Sequence, residues 1–206
     1  MALEKDDPDV AELVAQYDIW RHIYIWAGQA PPDEAAWDDG RLFFRVGFPH
    51  PDWWGYVLAS AGGDYAVSRV STERGAVPIE SLQGTFSRIR DAGKFLIYEV
   101  AESLRINCRL DPLSWKWDDE GLDPKVDAQI ESDRIVKYVL RSDPQSYFIM
   151  TRGDTPYSHI LPLPYDELNA SLLEPDFYQA SAHVGCGCLR GFRRGRVVAV
   201  QQRSGC

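Results

Sequence analysis

Residues 41–105 read RLFFRVGFPHPDWWGYVLASAGGDYAVSRVSTERGAVPIESLQGTFSRIRDAGKFLIYEVAESLR, and the rest of the chain can be arranged around this stretch. Its segments RLFFRV, WGYVLAS and DYAVSRVS are rich in β-branched and aromatic residues, which is typical of short strands. Between the last two segments, the pair Gly62-Gly63 predicts a tight hairpin turn, because glycine accepts the positive φ that such turns need. The stretch therefore predicts a small antiparallel sheet.

The period of the apolar residues changes after these strands. From about Glu80 onward they recur at helical spacing, at Phe86, Ile89, Gly93, Leu96, Val100 and Leu104. A second helix is predicted from Asp9 to about Trp26 by the same criterion. We therefore expect an α+β fold in which an antiparallel sheet, or sheets, of hairpins packs against one long amphipathic helix.

The remaining segments are predicted from their turn residues and short apolar runs. We expect an acidic loop over 31–40, a polar loop over 72–78 and a linker over 110–129 that carries Trp115 and Trp117. The later elements are predicted as strands over 135–140, 147–151 and 159–163, and as a short helix over 165–173.

The chain contains a short sequence pattern that occurs twice. The pattern Tyr-Val-Leu-x-Ser followed by Tyr-x-Val or Tyr-x-Ile begins at Tyr56 and again at Tyr138, 82 positions later. Each copy is followed by an Arg-Gly pair, one at Arg74 and one at Arg152. A repeat over 42–106 and 134–174 would give two related β units. Chance stays open as the alternative, because any hairpin favours these residue types.

Composition and charge limit the domain organisation and the partners. The length of 206 residues and an apolar content of 45% suit one α+β domain over 1–176, followed by a loosely ordered tail rich in Arg, Gly and Cys over 177–206. Residues 1–176 hold 17 Lys and Arg against 31 Asp and Glu, a net charge of −14 that opposes nucleic-acid binding and favours basic partners. No long apolar run or secretion signal is present, so we expect no membrane partner and a cytoplasmic location.

Motifs for catalysis or metal binding are weak. The chain has no G-x-S-x-G, Walker or H-E-x-x-H motif, and no G-x-G-x-x-G between a strand and a helix, so we predict no enzyme and no cofactor. His183, Cys186 and Cys188, with His159 or Cys206 as a fourth ligand, have a spacing that is not typical of zinc sites. We therefore predict free thiols and no metal.

Aromatic residues beside charged ones are the stronger functional signal. Trp53 and Trp54 follow a proline-rich connection, and tryptophan often anchors protein interfaces because it buries a large area at little entropic cost. The alternative is a small-molecule-binding or hydrolytic pocket near His50, Asp52 and Trp54, in which His50 acts as a general acid or base.

The segments DDGRLFFRVG, WGYVL, GGDY, ERG and KFLIYEVAESLR keep an order, within about residues 37–110, that resembles a known family. This is the family of bacterial polymorphic-toxin immunity proteins that includes the immunity factor for tuberculosis necrotizing toxin. The resemblance implies a cytoplasmic protein that binds a secreted toxin domain, in the named case an NAD-degrading enzyme, and blocks its active site with a loop. It implies that Glu73, Arg74 and Gly75 lie in that loop. The partner-binding prediction also includes Trp53, Trp54 and Arg152.

Overall fold

A single antiparallel sheet of eight strands runs through the computed structural model, which describes residues 3–73, 77–132, 135–151 and 155–173. The strands lie side by side in the order β1-β2-β3-β4-β5-β8-β7-β6. They are β1 (Ala36–Asp38), β2 (Arg41–Val46), β3 (Trp54–Ala61), β4 (Asp64–Ser71), β5 (Ile79–Phe86), β6 (Val126–Ser132), β7 (Ile135–Leu140) and β8 (Asp143–Thr151). The predicted α+β class and the antiparallel hairpins are confirmed.

Within the part of the chain that the structure describes, four α-helices and one 3₁₀ helix accompany the sheet. They are α1 (Pro8–Trp26), α2 (Ile89–Asn107), α3 (Leu113–Glu120), the 3₁₀ helix Thr155–Ile160 and α4 (Tyr165–Leu172). The carboxylate of Asp7 caps α1 by accepting a hydrogen bond from the Asp9 N–H at 2.8 Å. Both α1 and α2 contain 19 residues, so two long helices are present where the prediction emphasised one. No helix of the described residues is long and apolar enough to span a membrane.

The hydrophobic core lies between α2 and one face of the sheet, which we call the inner face. Alternate residues of the strands point to it, including Leu42, Phe44, Tyr56 and Leu58, all of which are buried. Helix α2 is buried on several sides, because α1, α4 and the 3₁₀ helix also pack against it. Burial of each large apolar side chain contributes about 1.5 to 3 kcal/mol, so this layer supplies most of the stability.

The outer face of the sheet is partly buried, although the described helices lie on the other side. Phe43, Val57 and Val70 are at most 4% exposed there. On this face, Arg41 of β2 forms a 2.9 Å ion pair with Glu80 of β5, although β3 and β4 lie between these strands. The two side chains can meet only if the sheet curls toward its outer face, and this curvature explains the burial.

Several sequence predictions placed helices and strands wrongly. The helix expected from about Glu80 begins at Ile89, and residues 79–86 form β5 instead. Pairing with β4 and β8 on either side overrides the local helical spacing of this segment. The expected loop over 31–40 contains β1, and the expected linker over 110–129 contains α3 and the start of β6.

The strand predicted over 159–163 is also wrong, because residues 155–160 form the 3₁₀ helix. His159 holds this helix against α3: its ring stacks on Trp117 at 5.3 Å, and its Nε2 lies 2.7 Å from the Gly121 carbonyl oxygen. The predicted strands over 135–140 and 147–151 and the predicted helix over 165–173 are confirmed as β7, β8 and α4. The tail and its candidate zinc ligands His183, Cys186, Cys188 and Cys206 lie outside the described residues.

The two echoed segments form the hairpins β3–β4 and β7–β8 in the same sheet. Their registers differ. In the first hairpin, Tyr65 pairs with Ser60 and faces the core; in the second, Tyr147 pairs with Val139 and lies on the outer face, where its hydroxyl contacts Asp64. Tyr65 and Tyr147 therefore occupy different positions although the pattern matches them, and a common origin of the two units stays a prediction.

Gly55 permits the close approach of β2 and β3. A Cβ atom at this position would overlap the Phe44 carbonyl oxygen and lie 2.8 Å from the Arg45 Cα. Because these are backbone atoms in a central strand, we expect Gly55→Ala to lower the free energy of unfolding by about 3 kcal/mol. Urea denaturation measures this change. Gly47→Ala is the matched control: its Cβ would meet open space at φ +79°, and we expect a loss of about 1 kcal/mol. Equal losses would contradict this explanation.

Candidate interaction surface

Several connections between strands leave the sheet from one end, which we call the loop end. Strands β2, β4, β6 and β8 finish here and β3, β5 and β7 begin here, as the pairs Val46–Trp54, Ser71–Ile79 and Ile135–Thr151 demonstrate. The loop end therefore carries the connections 47–53, 72–78 and 133–134, and it is where β8 ends. Antiparallel order thus gathers segments that are more than 80 positions apart in sequence.

The three predicted partner-binding residues that the structure describes, Trp53, Trp54 and Glu73, lie at the loop end. Trp53 and Trp54 lie at the start of β3, and Glu73 is exposed two residues after β4. Arg74, Gly75 and Arg152 lie outside the described residues, but they follow Glu73 and Thr151 directly in sequence.

The β4–β5 hairpin extends beyond β8 on one side, while β3 flanks it on the other side as far as Ser71. Within the described residues, β5 pairs with β8 only through Gly84, Thr85 and Phe86, whereas residues 79–82 pair with β4 alone. Four strand residues correspond to a projection of about 13 Å. The side chains of Val77, Ile79 and Leu82 are 84%, 68% and 51% exposed. This hairpin therefore presents apolar side chains to solvent beside the charged residue Glu73.

Trp53 and Trp54 face opposite sides of the sheet, as consecutive residues of an extended chain do. Trp54 lies on the inner side, where its ring packs edge-on against Tyr56 at 6.1 Å and under the Arg69 guanidinium at 5.3 Å. Trp53 packs edge-on against Phe48 at 5.7 Å. The pair therefore does not form one continuous aromatic patch.

Arg45 fixes connection 47–53. Its guanidinium lies 4.3 Å from the Phe43 ring centroid, 4.6 Å from that of Phe48 and 5.4 Å from that of Trp53. These cation–π contacts accompany a buried Nε without a hydrogen-bond partner in the described structure. The arginine therefore acts as the centre around which the aromatic side chains of this connection pack.

Thr72 joins connections 47–53 and 72–78. Its hydroxyl donates to the Pro51 carbonyl at 2.6 Å and lies 3.1 Å from the Trp53 carbonyl, while its N–H donates to that same Trp53 oxygen at 2.9 Å. These hydrogen bonds fix Thr72, the first residue of connection 72–78. The charged residue Glu73 therefore follows a residue whose position is defined.

His50, Asp52 and Trp54 do not converge in a pocket. His50 and Asp52 are exposed, and the Asp52 N–H donates to His50 Nδ1 at 3.2 Å, whereas Trp54 lies on the inner side of the sheet. A cavity of about 450 Å³ lies elsewhere, between α2, α3 and the 3₁₀ helix, and none of these three residues lines it. This geometry does not favour the predicted binding or hydrolytic pocket.

Sequence reasoning did not identify Tyr56 and Arg69 as neighbours of Trp54. The alternation of β4 places Arg69 on the same face as the buried residues Tyr65 and Val67. A charged residue on the same strand face as buried apolar residues indicates where that face becomes accessible to solvent. The position of Arg69 could therefore have been predicted from the sequence. The role of Thr72 depends on tertiary contacts that carry no comparable signal.

The architecture described so far, in which a rigid sheet presents clustered connections, is common in proteins that act by binding. The profile of the family Immunity protein 61 matches residues 26–176, so the chain belongs to this family of immunity proteins. The predicted membership of the polymorphic-toxin immunity proteins is confirmed, and with it the prediction that the chain is not an enzyme.

One solved structure is similar in fold, although its sequence is distant. The fold resembles that of Rv3902c from M. tuberculosis with a TM-score of 0.52 and 14% sequence identity, covering 84% of this chain and 90% of that one. No curated protein matches the sequence. At this identity the likeness supports the fold, and the family profile carries the functional class.

Proposed function

We propose that this immunity protein binds a cognate secreted toxin domain through the loop end and occludes the toxin's active site. The partner-binding residues of this proposal are Glu73, Arg74, Gly75, Trp53, Trp54 and Arg152. The observation that carries it is the β4–β5 hairpin, which extends beyond β8 and whose exposed apolar side chains flank a charged connection at the end of a rigid sheet. The end of a hairpin can enter a concave active site, which a flat sheet face cannot.

Preorganisation supports the same proposal. Thr72 and the Arg45 aromatic cluster already hold the flanking connections, so binding need not pay the full entropic cost of ordering them. Trp53 and Trp54 supply large side chains that are only partly buried, beside the end of β4. Aromatic anchors within an apolar and charged surrounding are the usual composition of interface hot spots.

The charge of the chain favours a basic toxin surface. The net charge of −9 attracts positively charged partners over long range and accelerates their association. By the resemblance described above, we infer that the toxin degrades NAD and that inhibition takes place in the cytoplasm, where the toxin would meet its substrate. Both points belong to the proposal.

Co-expression tests the function directly. We expect the product of the adjacent gene, if it carries a toxin domain, to copurify with this chain and to be harmless to cells that express both. Recovery of no toxin-like partner from the native host, together with failure to rescue cells from the neighbouring gene product, would rule the proposal out.

A charge reversal at the loop end should weaken the complex. We expect Glu73→Lys to lower the toxin affinity about ten-fold, mainly through slower association, because an interface charge is then repelled by a basic partner. The matched control is Glu4→Lys, which changes the net charge equally at an exposed site near Tyr65, at the start of β4 and the opposite end of the sheet. Surface plasmon resonance at fixed salt measures both rates. An equal loss in the two variants would mean that total charge, and not the loop end, governs binding.

A further inference from the structure

A cleft opens on the helix side of the molecule, between α2, α3 and the 3₁₀ helix. Its volume is about 450 Å³, large enough for a long side chain. The residues that line it are Tyr98, Glu99, Glu102, Ser114, Trp115, Asp118, Thr155, Pro156 and Tyr157. We call this feature the acidic cleft.

Among the described residues, three carboxylates and no lysine or arginine line the acidic cleft. The Glu99 carboxylate is held rigidly, since the Tyr56 hydroxyl donates to its Oε2 at 2.7 Å and the Tyr157 hydroxyl donates to its Oε1 at 2.9 Å. Glu102 accepts the Leu113 N–H at 2.8 Å and is buried, and burial raises the pKa of its carboxyl. The wall is therefore preorganised. Arg105 lies 3.8 Å from Glu102, so the carboxylates of Glu99 and Asp118 are the ones that favour a cationic occupant.

The two tryptophans of α3 have different roles. Trp117 belongs to the core, because it stacks on Tyr98 at 5.5 Å and on His159. Trp115, two residues earlier on α3, is 63% exposed and lines the opening. An exposed tryptophan beside carboxylates is well suited to hold a guanidinium group, which can stack on the indole and donate hydrogen bonds to carboxylate oxygens at the same time.

We propose that the acidic cleft is a second contact site for the toxin and that it receives an arginine side chain of that protein. This inference rests on the proposed function. It is supported by continuity with the loop end: Trp54 packs against Tyr56, and Tyr56 bonds to Glu99 at the cleft wall. A chain of side-chain contacts therefore connects the wall of the acidic cleft with the loop end. An acidic receptor also matches the basic toxin surface that the charge of the chain favours.

Titration of the full chain with a short peptide tests the cleft without the toxin. The probe is acetyl-Gly-Arg-Gly-amide, and the control probe carries neutral citrulline in place of arginine. The readout is the indole ¹H–¹⁵N resonance of Trp115, which is assigned by its loss in Trp115→Phe. We expect the arginine peptide to shift this resonance saturably with a Kd on the order of millimolar, as befits one side chain, and the citrulline peptide to leave it unchanged.

Substitution of two neighbouring aspartates on α3 tests where the arginine peptide binds. Asp118 lines the cleft and Asp119 does not, and both are exposed, so neither change should disturb the fold. We expect Asp118→Asn to weaken the arginine peptide about three-fold and Asp119→Asn to leave its affinity unchanged. No shift at Trp115, an equal shift with citrulline, or an equal effect of the two substitutions would overturn the inference. Because the peptide arm needs no toxin, its result is independent of whether the proposed function holds.

Discussion

Asp91→Asn is expected to lower the free energy of unfolding by about 3 to 5 kcal/mol, because it leaves the buried ammonium of Lys94 without its counter-charge. Asp91 and Lys94 lie one turn apart on α2, and the side chain of each is only 6% exposed. Lys94 Nζ is 2.8 Å from Asp91 Oδ1 and donates to the Leu161 carbonyl at 2.6 Å. The Ser146 hydroxyl donates to the other Asp91 oxygen at 2.8 Å, so the substitution also disturbs a link to β8.

The pH dependence gives this prediction a second signature. Burial lowers the pKa of Lys94 and Asp91 raises it, so removing the carboxylate lowers this pKa further. Between this lowered pKa and the ordinary value of 10.5, the unfolded chain binds a proton that the folded chain lacks, so the stability of Asp91→Asn should rise with pH across that window. The double variant Asp91→Asn, Lys94→Met removes both charges and should regain most of the loss in urea denaturation. A double variant as unstable as the single one would show that the ion pair is not the cause.

Elements with a strong local signal were predicted correctly from the sequence. Helix α1 begins beside its Asp7 cap, and the apolar stripe of α2 follows helical spacing from Ile89 to Leu104. Segments whose conformation depends on pairing with neighbouring strands were predicted wrongly. Residues 79–82 of β5 are exposed, and this strand exists because β4 pairs along its whole length. No property of these residues by themselves distinguishes them from the start of a helix.

The candidate site was likewise predicted only in part from the sequence. The tryptophans at 53 and 54 were identified from composition, but their opposite orientations follow from the point at which β3 begins. The acidic cleft was missed because α3 was expected to be a linker, so the different positions of Trp115 and Trp117 on that helix could not be seen. Glu99 became part of a site only when β3 and the 3₁₀ helix brought two tyrosine hydroxyls to it. These are tertiary contacts between distant segments.

Alkaline pH is expected to unfold the protein between about pH 11 and pH 12. Five tyrosines have hydroxyls whose pKa is raised far above the ordinary value of 10, chiefly by burial: Tyr17, Tyr24, Tyr56, Tyr157 and Tyr165. Above pH 10 the unfolded chain loses these protons and the folded chain keeps them, so stability that is present below pH 10 is lost as the pH rises. Each group costs about 1.4 kcal/mol per pH unit, and the five together about 7 kcal/mol.

Circular dichroism and tyrosinate absorbance at 295 nm, followed together, measure this transition. If burial protects the tyrosines, the absorbance of these five should rise only as the helical signal disappears. Lys94, whose pKa is lowered on folding, acts with the opposite sign only below 10.5, because above that pH both states have lost its proton. Tyr165→Phe is the informative variant, because the hydroxyl makes only a 3.4 Å contact with the Arg90 carbonyl. It should make the pH dependence about one-fifth shallower. Full tyrosine ionisation near pH 10 with the helical signal intact would contradict the prediction, since buried hydroxyls cannot ionise there while the core remains closed.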